Sequence, residues 1–213
     1  MSAVRIFIAD DHEIVREGVR ALIQRHEGWE VCGEASNGRE AVVQAGKLKP
    51  DIIVMDIGMP DLNGLDATRQ IKRELPKCEV LIFTANETEE IVRSVFKAGA
   101  RAYLLKAEAN KHLIPAIEAL CKHRTFFSSK VSELVFAGYL KDDAGVNDPT
   151  LTLRERETVQ LIAEGKTNKD IAEILGISVK TVETHRATIM RKLQLGSVAD
   201  LVRYAVRNGI VEA

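Results

Sequence analysis

Five residues that follow short apolar runs carry the groups needed to hold and transfer a phosphoryl group. Asp10 and Asp11 follow Val4–Ala9, Asp56 follows Ile52–Met55, Thr84 follows Val80–Phe83 and Lys106 follows Ala102–Leu105. Three carboxylates brought to one point repel unless a cation joins them, and an all-oxygen donor set favours a hard ion such as Mg2+. A lysine adds a positive point charge and a threonine a hydroxyl donor. In such a set an aspartate can attack phosphorus, because charge developing on the equatorial oxygens is stabilised by the metal and the lysine. Taken singly, an aspartate after a strand is more often a turn former or a helix cap. Five such residues at four strand ends depart from that ordinary reading. His12 follows the acidic pair at the start of a helix, where a histidine is more often solvated or a local hydrogen-bond partner than a ligand.

A second kind of chemistry lies near the other end. Ser178–Lys192 holds four basic residues, Lys180, Arg186, Arg191 and Lys192, against the single acid Glu183. Val179, Val182, Ile189 and Leu193 recur at helical spacing, which gives a helix one buried stripe. The opposite face carries Lys180, Thr181, Glu183, Thr184, Arg186 and Ala187. On an exposed helix, lysine and arginine can neutralise phosphates while glutamate and threonine reach base edges. From charge alone the plainer reading is a solvated amphipathic helix. The three-residue turn Gly176-Ile177-Ser178 before it, joining it to another helix, is the spacing of a helix-turn-helix motif and favours DNA. Gly165-Lys166-Thr167 resembles the end of a phosphate-binding loop, but Gln160 stands where the earlier glycine is needed and a helix precedes it.

The elements that must position these groups follow from periodicity. Strands are predicted at Val4–Ala9, Trp29–Glu34, Ile52–Met55, Val80–Phe83 and Ala102–Leu105, alternating with helices near 12–25, 39–48, 65–74, 87–98 and 111–122. Five strand–helix repeats imply an α/β domain with a doubly wound parallel sheet, helices on both faces and ligands beyond the C-terminal strand ends. From His123 to about residue 148 the pattern weakens into a polar, Gly/Pro-punctuated stretch, read as a linker with a connecting helix over Ser129–Leu140. The last part has no strand signal. Thr152 with Glu155, Thr167 with Asp170 and Ser197 with Asp200 mark helix starts, and Gly165, Gly176 and Gly209 mark helix ends. Four helices are predicted: 153–164, 168–175, 179–193 and 198–208. The expected division is residues 1–122, a linker over 123–148, and an all-α domain over 149–213.

Composition bounds these readings. The chain has 213 residues, 46% of them hydrophobic and 29% charged, with a net charge of −1. It is ordinary globular composition. No apolar run approaches the roughly 20 residues of a membrane span and no signal segment opens the chain, so a cytoplasmic protein is expected. Three widely spaced cysteines, Cys32, Cys78 and Cys121, indicate neither a disulfide framework nor a zinc site. The near-zero charge conceals a gradient: residues 1–122 carry 17 basic and 19 acidic side chains, residues 149–213 carry 10 and 8.

Asp10-Asp11, Met55-Asp56-Ile-Gly-Met59-Pro60 with Gly64, Phe83-Thr84-Ala85 and Tyr103-Leu-Leu-Lys106 resemble the receiver domain of two-component response regulators over residues 4–122. The resemblance implies a flavodoxin-like sheet of order 2-1-3-4-5. It implies phosphorylation of Asp56, and Mg2+ bound by Asp10, Asp11, Asp56 and the Gly58 carbonyl. Lys106 would pair with the phosphoryl group, Thr84 would move to contact it, and Tyr103 would rotate inward. Ala107 replaces the proline that follows this lysine in many receivers, and Gly58 and Asn86 flank the phosphate at variable positions. Leu153-Arg-Glu-Arg-Glu157, Ala163-Glu-Gly165, Asn168-Lys-Asp-Ile-Ala172, Val179-Lys-Thr-Val-Glu-Thr-His185 and Arg191-Lys-Leu193 resemble a LuxR-type tetrahelical DNA-binding domain, and the two together the NarL/FixJ class.

By that resemblance Lys180, Thr181, Arg186 and Lys192 contact DNA phosphates while Glu183, Thr184 and Ala187 face bases. His185 approaches the backbone or closes the helix interior. Leu201, Val202 and Ala205 form a dimerisation surface or, equally, part of the domain's core. A sensor histidine kinase, promoter DNA and a second copy of the chain are the implied partners. Two other functions remain open at this point: an aspartyl-nucleophile phosphotransferase dependent on Mg2+, and a DNA binder indifferent to phosphorylation.

Overall fold

The computed structural model describes residues 3–85, 89–128, 131–132 and 151–211. It divides into two compact units, Met1–Pro60 with Gly64–Ala144, and Asp61–Asn63 with Gly145–Ala213.

In the first unit β1 (Val4–Ala9), β2 (Trp29–Ala35), β3 (Ile52–Met55), β4 (Glu79–Thr84), β5 (Ala102–Leu105) and β6 (Phe126–Phe127) form one sheet of order β2-β1-β3-β4-β5-β6, parallel throughout. Helices α1 (Glu13–Ile23), α2 (Gly38–Leu48), α3 (Gly64–Glu74), α4 (Glu89–Ala98) and α5 (Ala109–Cys121) make the crossovers. The expected order 2-1-3-4-5 is present, and every residue of β3, β4 and β5 is buried, as strands covered on both faces must be. One face packs Ile6, Ile8, Ile52, Val54, Leu81 and Leu104 against Val19 and Ile23 of α1 and Leu113, Ile117 and Leu120 of α5.

The sixth strand corrects the expectation of five, and it lies within residues 123–148, the stretch read as a linker. His123, at φ 53, turns the chain back after α5, and Phe126 and Phe127 pair with Ala102 and Tyr103. Phe127 stands edge-on to Phe96 of α4 with ring centroids 5.0 Å apart. Two residues are too few to show a period of two, so only this packing identifies them as strand. The expected connecting helix over 129–140 lies almost wholly outside the described residues, as does Asn86.

The second unit contains α6 (Leu153–Ala163), α7 (Asn168–Leu175), α8 (Val179–Lys192) and α9 (Val198–Arg207), each within a residue of its predicted bounds. Thr152 and Thr167 close complete capping boxes with Glu155 and Asp170. Ser178 and Ser197 accept hydrogen bonds from the Thr181 and Asp200 backbones. Gly176 ends α7 at φ 64, a left-handed conformation that favours glycine. The core joins Val159, Leu161, Ile171, Val182, Ile189, Leu201 and Ala205. Val179, expected in the buried stripe of α8, is 41% exposed; Val182 and Ile189 carry that stripe. Among the described residues no helix is long and apolar enough to cross a membrane.

Candidate functional site: a carboxylate and lysine pocket and an exposed basic helix

Register assembles the first site. Ala9 pairs with Met55, so Asp10 and Asp56 leave adjacent strands side by side. Thr84 pairs with Leu105, so Lys106 emerges one residue beyond the level of Thr84. Lys106 Nζ lies 3.0 Å from Asp56 Oδ2 and 2.8 Å from Asp10 Oδ2. The Ile57 N–H donates to Asp56 Oδ1 at 2.8 Å, and the His12 N–H donates to Asp10 Oδ1 at 2.9 Å. Each carboxylate is thereby fixed by one backbone donor and one shared ammonium. Asp10 and Asp56 are buried; Asp11, at the rim, keeps 30% of its side chain exposed.

The electrostatics of this arrangement set its chemistry. Burial pushes the Asp56 carboxyl up to about 6; Lys106 opposes the shift and Asp10 adds to it. Burial also pulls on the Lys106 ammonium, but Asp10 and Asp56 outweigh it and hold Lys106 above its ordinary value. The lysine is therefore a fixed cation, and Asp56 is mostly ionised at neutral pH and so nucleophilic.

A divalent cation fits this donor set. One carboxylate oxygen from each of Asp10, Asp11 and Asp56 lies within 4.8 Å of the others. Asp10 Oδ2 is sealed from solvent and, although close to Lys106, accepts no well-aligned hydrogen bond. Two buried carboxylates against one lysine leave negative charge that a hard cation would balance.

The loop after β3 is tightly folded beside Asp56. The N–H groups of Met59 and Gly64 both donate to Ile57 O at 2.9 Å, folding 57–64 back on itself. A Cβ at Gly64 would stand 1.8 Å from the Asp56 carbonyl oxygen, so only glycine fits there. Gly58 lies in this loop and is half-buried. Thr84 and Tyr103 are fully buried.

The structure adds a residue that the sequence reading set aside. His12 Nδ1 is 2.7 Å from Asp11 Oδ1 and 3.3 Å from Asp10 Oδ1. The adjacency of His12 to the acidic pair was the available signal; a helix-start histidine reads as solvated because sequence alone does not say which way its ring turns.

In the second unit the basic helix is presented as expected, with Lys180, Thr181, Glu183, Thr184 and Ala187 exposed. Arg186 and His185 are half-buried, and Arg186 Nη1 donates to Asn168 Oδ1 at 3.0 Å, tying α8 to the start of α7. Lys192 Nζ donates to Glu155 Oε2 at 2.7 Å. Burial pushes the Glu155 carboxyl up, but Lys192 and the Thr152 N–H outweigh it and hold it below the usual range. Lys192 is thus engaged in locking α8 to the capping box of α6. Leu201 and Ala205, candidates for dimerisation, are 1% and 0% exposed inside the helical core, and Val202 is half-buried. The outward apolar residues of α9 are Val198 and Val206.

Comparison with known proteins agrees with this division. Residues 6–118 match the response regulator receiver domain, and residues 149–205 match the bacterial regulatory proteins of the luxR family. The transcriptional regulatory protein LiaR of Bacillus subtilis is 40% identical over 209 residues, 98% of this chain and 99% of that protein. The oxygen regulatory protein NreC of Staphylococcus haemolyticus is 38% identical over 216 residues, 98% of this chain and 100% of that protein. Among solved structures, RcsB of Salmonella enterica serovar Typhimurium, bound to a promoter in the presence of the phosphomimetic BeF3−, is 27% identical. Its TM-score is 0.64, with 99% of this chain and 100% of that chain covered. A sheet with acidic strand ends, joined in one chain to a four-helix DNA-reading fold, defines a two-component response regulator. The chain belongs to the NarL/FixJ class of that family, transcriptional regulators with a receiver domain and a LuxR-type helix-turn-helix domain.

Proposed function

We propose that Asp56 accepts a phosphoryl group from a sensor histidine kinase and that this event controls dimerisation and DNA binding. The observation that carries the reading is the convergence of Asp56, Asp10 and Lys106 within 3.0 Å contacts at the C-terminal strand ends. A carboxylate oxygen of Asp56 attacks the phosphorus of a phosphohistidine, the P–N bond breaks, and an acyl phosphate forms on Asp56. Asp10, Asp11, Asp56 and the Gly58 carbonyl would hold Mg2+, which supplies charge neutralisation at the phosphoryl oxygens. Lys106 exchanges its ion pair with Asp56 for one with a phosphoryl oxygen. Thr84 supplies a hydroxyl donor to a second oxygen, and Tyr103 packs behind it on β5.

Helix α8 enters the major groove, with Lys180 and Thr181 on phosphates and Glu183, Thr184 and Ala187 toward bases. Arg186, held by Asn168 at the start of α7, reaches a phosphate from the middle of α8. Lys192, paired with Glu155, contributes to the fold of the reader more than to DNA contact. Dimerisation through α9 uses Val198, Val202 and Val206, which share one face at spacings of four, in place of the buried Leu201 and Ala205. The reading implies a cytoplasmic location, beside the DNA. The promoter-bound RcsB structure supports it by similarity.

The test is intact mass after incubation with Mg2+ and acetyl phosphate. A single phosphoryl adduct, lost in Asp56→Asn, is expected; no adduct, or an adduct that survives Asp56→Asn, overturns the assignment.

A further inference from the structure

We propose that His12 is a nitrogen ligand of the acidic pocket and that it tilts the pocket's metal preference from Mg2+ toward transition metals. The inference rests on the reading of the pocket as a divalent-cation site. His12 opens α1, and its backbone N–H is held by Asp10 Oδ1 at 2.9 Å, which fixes the residue beside the carboxylates. Its side chain makes no helix-capping hydrogen bond, so the ring is not committed to the helix start. Nδ1 instead stands 2.7 Å from Asp11 Oδ1 and 3.3 Å from Asp10 Oδ1, and one donor atom from each of Asp10, Asp11, His12 and Asp56 falls within 4.8 Å of every other.

The two distances from Nδ1 suit neighbouring positions of a coordination sphere. Two neighbouring ligands on an octahedral ion at about 2.1 Å are about 3.0 Å apart, between the two distances measured from Nδ1. The ring is also largely exposed, with 65% of its side chain accessible, so it can reorient by the few tenths of an ångström ligation requires without displacing core atoms.

The consequence follows from donor chemistry. Mg2+ takes oxygen ligands, retains waters and gains little from an imidazole, whereas Co2+, Ni2+ and Zn2+ bind imidazole nitrogen strongly. A pocket of three carboxylates and one imidazole therefore binds such ions more tightly than a pocket of carboxylates alone, at nearly unchanged Mg2+ affinity. Phosphoryl uptake would then be supported by these metals at much lower concentrations than of Mg2+.

The experiment is titration of the full chain with Mg2+ and with Co2+ at fixed pH, for the wild type, His12→Ala and His12→Gln, following heat release and the visible absorption of bound cobalt. The inference expects the Mg2+ to Co2+ ratio of dissociation constants to fall at least tenfold in both variants, with Mg2+ affinity changed less than about twofold. It also expects the wild-type cobalt complex to show a paramagnetically shifted imidazole proton that both variants lack. An unchanged ratio, with Mg2+ still bound, overturns the role of His12 and leaves the pocket intact. Absence of any Mg2+ or Co2+ binding in the wild type overturns both this inference and the metal site beneath it.

Discussion

The two units place their charges in opposite ways. In the sheet unit, Asp10, Asp56 and Lys106 come from strands far apart in sequence, are largely removed from water and have no choice but to contact one another. In the helical unit the charged residues of α8 lie in one contiguous stretch, with Lys180 and Glu183 exposed to solvent, while Arg186 bonds to Asn168 and Lys192 to Glu155. A buried site holds its charges at low effective dielectric, where single groups matter strongly and salt matters little. An exposed helix offers many weak contacts that salt screens. One unit is built for a single chemical event, the other for graded attraction to a polyanion.

That contrast can be broken experimentally, beginning where the effect is greatest. Asp56→Asn should remove phosphoryl uptake entirely while leaving basal DNA affinity near wild type, measured by intact mass and by duplex titration; a parallel loss of basal DNA binding would erase the distinction between the units. Next, Gly64→Ala sets a Cβ against the Asp56 carbonyl oxygen and should destabilise the sheet unit by about 3 kcal/mol in urea unfolding. A silent Gly64→Ala would show that the pocket loop yields freely.

A third test uses pH. Asp56 titrates near 6 in the folded chain against an ordinary value of 3.8, so the folded state is progressively disfavoured as pH rises from about 4 to about 6. With divalent ions chelated, Asp56→Asn should be more stable than wild type at pH 7 by about 1–3 kcal/mol. The gap should close as pH falls through 6 toward 4, and a gap that widens on acidification has the wrong sign. On the helical side, the Lys180→Ala/Arg186→Ala double variant should lower the slope of log affinity against log salt by about 2. Lys192→Ala should leave that slope almost unchanged while costing the reader about 1 kcal/mol through loss of its bond to Glu155.

The sheet order and the pocket were legible because each strand is a short apolar run closed by one polar residue, and parallel topology sends those closing residues to one edge. The four reader helices were legible from their caps: hydroxyl and carboxylate at spacing three, glycine at the end. What escaped the sequence was decided by orientation or by single contacts. Phe126 and Phe127 become a strand only because the chain reverses at His123 beside the edge of β5. Leu201 and Ala205 sit on a helix with apolar residues on more than one side, so spacing cannot tell the inward face from the outward one. Lys192 belongs to a basic run that reads as a DNA contact, and its bond to Glu155 crosses 37 residues. His12 keeps most of its ring in solvent, and only coordinates show that its Nδ1 meets the carboxylates.

The all-parallel sheet carries a kinetic consequence. Its closest-spaced register partners, Leu81 and Ala102, are already 21 residues apart, and Ile6 must find Ile52. No hairpin offers a local start, so loop closure precedes every strand pairing and folding of this unit is slow. The helical unit assembles from neighbouring helices joined by short turns and should form early. Trp29, the chain's only tryptophan, lies in β2 and so reports on the sheet unit alone. In a refolding experiment on the whole chain, helical circular dichroism should therefore rise in part before tryptophan emission changes, the molecule acquiring its reader ahead of its switch.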